Sequence, residues 1–76
     1  MASIVRCWRA DPAGCSAALV AAWLIDAMAG IDGVRFRRTE TDSVVLDVAP
    51  HCLCDIRIVL VRTLAEPRFL GWQVAE

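Results

Sequence analysis

The chain divides by the period of its apolar residues. Ile4 to Arg9 is rich in β-branched and aromatic residues and predicts a strand. Between Pro12 and Ala29 the apolar residues recur at three- and four-residue spacings, which predicts a helix. From Val34 the period shortens to two. Val34, Phe36 and Arg38 alternate with Arg35 and Arg37, and Val44, Leu46 and Val48 share one face of a strand from Val44 to Val48. Asp55 to Thr63 predicts the longest strand, with Ile56, Ile58 and Leu60 alternating with Arg57, Val59 and Val61. Arg68 to Val74 predicts a last strand that aligns Leu70, Trp72 and Val74.

The residues between these runs set the expected boundaries. Asp11-Pro12 predicts the helix start, because an Asp carboxylate accepts from the free amides of a first turn and Pro has no amide to leave unbonded. Gly30 is placed to end that helix in the left-handed conformation. Ile31-Asp32-Gly33, Thr41-Asp42-Ser43 and Ala65-Glu66-Pro67 carry turn chemistry, and Pro50 breaks the strand before it. The expected fold class is α+β: a single domain over residues 1–76, in the order β-α-β-β-β-β. One helix packs on a mainly antiparallel sheet whose last four strands form a meander.

That layout leaves two surfaces to explain. On the helix, Ala17, Val20, Ala21, Leu24 and Met28 form the stripe suited to the sheet, while Asp26 marks the solvent side. Leu19 and Trp23 fall beside Asp26. Ordinary scattered exposure or a covering loop is one account of them; a contact patch for a partner or a second copy is the other. The sheet face away from the helix is expected to display Arg35, Arg37, Arg57, Asp47, Val59, Val61 and Phe69. Valines framed by arginines read as a contact surface, against the plainer reading of a solvated face with cross-strand ion pairs.

Composition narrows the classes. The formal net charge is −1, and every cation is Arg, with no Lys in the chain. A dedicated nucleic-acid binder carries a basic excess, because phosphate neutralisation supplies much of its affinity. A small RNA- or DNA-binding domain using the Arg-bearing sheet face is therefore the second reading, behind protein contact. One expected aromatic on that face is few for a base-stacking platform. A domain of 76 residues also has little material for the walls of a deep cleft. No catalytic signature or phosphate loop is present, and the expectation is a non-enzymatic protein with no cofactor.

Cys7, Cys15, Cys52 and Cys54 raise the remaining chemistry. No basic end followed by an apolar run opens the chain, so the expected setting is the cytoplasm, with free thiols. The apolar stretch from Ala13 to Ile31 contains Ser16, Asp26 and two glycines and reads as a helix of a globular domain. His51, Cys52 and Cys54 are weak metal candidates: an extended segment would point both cysteines the same way, but the second ligand pair of a zinc site is missing. A reactive thiol with His51 as its base, Cys15 in the expected first helical turn or Cys7, is the one enzyme arrangement the residues permit. Buried cysteines acting as small hydrophobes are the plainer account.

The capped helix from Asp11-Pro12 to Gly30, the meander from Val34 to Val74 and the exposed candidates Leu19 and Trp23 together resemble, in layout and size, the small phage-encoded inhibitors called anti-CRISPR proteins. That resemblance carries no signature motif. It implies binding to a bacterial CRISPR effector complex and blocking of its DNA or nuclease access, often through acidic side chains; the acidic residues here are dispersed. The leading expectation is a protein-interaction module of this inhibitor type, with Leu19, Trp23, Arg35, Arg37 and Arg57 as contact residues. A second copy of the chain is the other candidate partner.

Overall fold

The computed structural model describes residues 3–75. The class is α+β, as the sequence predicts: a four-stranded antiparallel sheet covered on one face by helices. The elements are β1 (Ser3–Arg9), α1 (Ala17–Ala27), β2 (Val34–Glu40), β3 (Ser43–Val48), α2 (Leu53–Leu64) and β4 (Trp72–Val74). Short 3₁₀ turns at Pro50–Cys52 and Pro67–Phe69 flank α2. The spatial order β2-β3-β1-β4 is that of the split β-α-β layout.

The difference from the predicted order lies in one segment. Asp55 to Thr63 is helix, not strand, so two helices cover the sheet where one was expected. Ile56, Leu60 and Leu64, four residues apart, are the buried positions of α2, and Leu53 and Val59 pack against the same core. A strand would bury Ile56, Ile58 and Leu60 together, yet Ile58 is 53% exposed. The β-branched content suits either state, and the need to cover β1 and β4 decides for helix. Asp55 in the first turn and Arg62 in the last complement the helix dipole.

The expected meander fails for the same reason. Among the described residues only β2 and β3 form a hairpin, through Thr41-Asp42; β3 then pairs with β1, and β4 joins the far edge of β1. The last strand shortens to Trp72–Val74, and Phe69 lies fully buried in the core instead of on the sheet's free face. Leu70 is out in solvent.

The first helix starts later than Asp11-Pro12 implies. Asp11 accepts from Ala13 N at 2.9 Å and Gly14 N donates to Asp11 O at 2.9 Å, so these residues close a tight turn. Ala10 N and Asp11 N both donate to Gly71 O, at 2.7 and 3.2 Å, which ties the turn to the approach to β4. Helix can begin only past this tether, and Ser16 caps it by accepting from Leu19 N at 3.4 Å. The helix also ends earlier than expected, at Ala27 with Met28 as its cap; Gly30 has the expected left-handed φ of +83°, but in the turn that follows.

One core lies between the sheet and the helices. Val5, Cys7, Val44, Leu46 and Val48 from the sheet meet Val20, Leu24, Ile56, Leu60 and Phe69. Each of the Val, Leu, Ile and Phe side chains contributes on the order of 1.5–3 kcal/mol on leaving water. Among the described residues, no helix is long and apolar enough to cross a membrane.

Candidate interaction surface

The helices leave one face of the sheet open, and β1 decides what it displays. Val5 and Cys7 point into the core, so Ile4, Arg6 and Trp8 point away from it. The placement follows from Arg6, whose charge could not lie under the helices without a partner. On β3 the same alternation sends Val44, Leu46 and Val48 inward and Ser43, Val45 and Asp47 outward. The register sets Ile4 opposite Asp47, Arg6 opposite Val45 and Trp8 opposite Ser43, with Gln73 of β4 on the other side of Trp8.

Val45 stands apart from the core cluster yet is 0% exposed. Its neighbours across the strands are Arg6 and Arg38. Both donate to Glu40, Arg6 at 2.6 Å and Arg38 at 3.4 Å, so a carboxylate-bridged arginine pair reaches over β3 and its aliphatic stems cover the valine. A bulge between Phe36 and Arg38 places Arg37 and Arg38 next to each other on this side of β2. Arg37 donates to Asp47 at 3.0 Å. Arg9, at the end of β1, pairs with Asp42 in the hairpin turn.

The open face is therefore a row of bridged charges with an apolar residue at each end of β1. Trp8 is 42% exposed and Ile4 55%. Arg35, opposite Asp47 in the register, forms no salt bridge among the described residues.

The structure separates the sequence-predicted contact residues. Arg35 and Arg37 lie on the open sheet face, as expected. Leu19 is exposed on α1, in the opposite layer. Arg57, Val59 and Val61 are on α2 and do not belong to the sheet face; Arg57 donates to Ala75 O at 3.4 Å. Trp23 is half-buried, its ring edge-on to Phe69 with centroids 5.7 Å apart and the Arg68 guanidinium over it, so a neighbouring turn covers it. Ile4, Arg6, Trp8 and Val45 were missed. The signal for them is Arg6 between Ile4 and Trp8, which fixes the outward side of β1.

The cysteine cluster is also rearranged. Cys52 ends a 3₁₀ turn and Cys54 lies in the first turn of α2, so the two sit on different sides of a helical path, not on one side of an extended segment. Cys52 is half-buried, while Cys54 and His51 are exposed. Among the described residues, no three His, Cys, Asp or Glu side chains come together in a group that could hold a metal ion. Cys15 precedes the Ser16 cap instead of lying in the first helical turn, and its carbonyl accepts from Trp72 Nε1 at 2.9 Å. Cys7 is fully buried, and loss of hydration pushes its thiol up from 9.0 to about 12.

The chain matches no family model, no curated protein and no solved structure.

Proposed function

We propose that the protein is a small, non-enzymatic protein-interaction module that docks through the open face of its sheet. The observation that carries this reading is Trp8, exposed on an inner strand of a sheet face that no helix covers, beside the arginines Arg6 and Arg38 that lie across Val45. Trp and Arg are the residues that most often dominate binding energy at protein interfaces. Arg6, Arg37 and Arg38 are already positioned by Glu40 and Asp47, so little side-chain freedom is lost when a partner arrives.

Single-stranded RNA or DNA on the same face is the second reading, favoured by one specific feature: a four-stranded sheet with an aromatic on an inner strand is a base-stacking platform in outline. Two facts weigh against it. Trp8 is the one aromatic on that face among the described residues, and Arg6, Arg37 and Arg38 are committed to carboxylates. Phosphate contacts would have to come mainly from Arg35.

In its narrower form the proposal names an inhibitor of a bacterial CRISPR effector complex, acting in the cytoplasm. Small size supports that form, and the free state of the four cysteines fits a reducing compartment. The test is capture of a stoichiometric partner from a nuclease-treated bacterial lysate, by wild type and by Trp8→Ala. Loss of the partner with the variant supports the sheet face, and an effector subunit as that partner supports the inhibitor form. Salt-sensitive oligonucleotide binding with no protein partner would transfer the face to nucleic acid.

A further inference from the structure

The outward side of α2 is apolar where a helix on a two-layer domain should be polar. Cys54, Ile58, Val61 and Ala65 follow one another at spacings of four, three and four, which sets them in a single stripe. All are exposed, Ile58 at 53% and Val61 at 59%. Arg57, Ile58, Val61 and Arg62 line one shallow, almost wholly apolar hollow, and Val61 also lines a second against Trp72, Gln73 and Val74 of β4. The apolar surface thus runs from the middle of the helix to the sheet edge.

Asp55 and Arg62 identify what fits there. Both flank the stripe on the same side, two turns or about 10 Å apart along the axis. Neither forms a salt bridge among the described residues, whereas Arg6, Arg9, Arg37, Arg38 and Arg68 all do. An acid and a base on one flank of an apolar stripe are complementary to the same flank run in the opposite direction. That is the condition for an isologous, two-fold contact.

We propose that a second copy of this chain docks on α2, helix against helix and antiparallel. The two-fold axis falls midway between positions 58 and 59. In that register Asp55 of each copy faces Arg62 of the other. The same register interdigitates the stripe: Val61 of one helix enters between Cys54 and Ile58 of the other, and the two Ile58 side chains meet beside the axis. Charge pairing and packing select one alignment. Arg57, on the opposite flank, is drawn toward Ala75 and clear of the seam. The dimer places both helix layers inside and turns the two open sheet faces outward, so it presents the surface of the proposed function twice without depending on it.

A seam of twelve-residue helices is smaller than a standard interface of about 1,600 Å², so the dimer is expected to be weak and reversible, with a dissociation constant on the order of 10–100 µM as the working range. The experiment is sedimentation equilibrium from about 10 to about 500 µM, a range spanning that constant. Wild type is expected to pass from monomer to dimer. Ile58→Glu, an exposed position whose substitution leaves the core intact, should raise the constant at least about tenfold. Asp55→Arg alone should weaken the dimer, and Asp55→Arg with Arg62→Asp should recover it, with far-UV circular dichroism confirming the helices in each variant. Oxidation with copper phenanthroline should cross-link Ile58→Cys in a Cys54→Ser background. It should not cross-link wild type through Cys54, whose copies lie about 13 Å apart along the axis. A monomer across the range, a dimer indifferent to Ile58→Glu, or cross-linking through Cys54 in place of position 58 would each overturn the proposal.

Discussion

Trp23 stands edge-on to Phe69, the ring planes 84° apart, and the Arg68 guanidinium lies 5.6 Å from the one ring and 4.9 Å from the other. This stack fastens the Pro67–Phe69 turn, which leads into β4, to α1. A tryptophan that sequence periodicity places at the solvent is thereby a structural residue. Truncating Phe69 to Ala should lower unfolding stability by about 3–5 kcal/mol, and Trp23→Ala, half-buried, by about 1–3 kcal/mol. Urea denaturation followed by circular dichroism measures both. Unchanged stability in Trp23→Ala would show that the stack carries no load.

Trp8→Ala should behave in the opposite manner. Its ring lies on the open face, 42% exposed, so the fold should lose about 1–2 kcal/mol and remain intact, while partner affinity falls at least about tenfold. Calorimetric titration of wild type and variant against the captured partner separates these effects. A variant that binds normally would remove Trp8 from the interface.

Cys7 gives a pH signature. Its folded pKa is raised, so below 9.0 both folded and unfolded thiols are protonated and the contribution is constant. As pH rises from 9.0 towards about 12 the unfolded thiol ionises first, and the contribution of Cys7 to stability declines with a slope of at most about 1.4 kcal/mol per pH unit. Cys7→Ala should flatten that part of the stability curve. In the native protein at neutral pH, iodoacetamide should label the exposed Cys54 well ahead of the buried Cys7. Rapid labelling of Cys7 would contradict its place in the core.

Gly33 precedes β2 with φ +89°, and a Cβ there would lie 2.7 Å from Cys52 Sγ. Gly33→Ala should lower stability by about 1–3 kcal/mol through backbone strain and this clash together. Adding Cys52→Ala should recover only part of the loss, because it removes the Sγ contact but leaves the strain and the tight 3.1 Å approach to Cys52 Cβ. Thermal denaturation of the single and double variants checks the split; full recovery would show that the strain is negligible.

Most of the sheet was legible because its strands alternate: Val44, Leu46 and Val48 are buried as predicted, and Gly30 takes the left-handed conformation, although α1 ends before it, at Ala27. Asp55–Thr63 was not, because a run such as Ile56 to Val61 is apolar at both periods. Its companions Leu53 and Leu64 extend the four-residue spacing, and the distance from Pro50 to Pro67 is long for a strand. Those were the available signals. The start of α1 was illegible for a different reason: the amides of Ala10 and Asp11 are held by Gly71, a tertiary contact that no local capping rule contains. The candidate face was half legible. Arg35 and Arg37 fall on it, whereas Arg57 was assigned by a strand alternation that α2 does not have.

The most direct test of the proposed docking face compares partner capture by Trp8→Ala and Ile58→Glu, both folded, from one nuclease-treated bacterial lysate. The account predicts that Trp8→Ala loses the stoichiometric partner, while Ile58→Glu, altered only in the opposite layer, retains it. Retention by Trp8→Ala with loss by Ile58→Glu would contradict it and move the binding site to the helices.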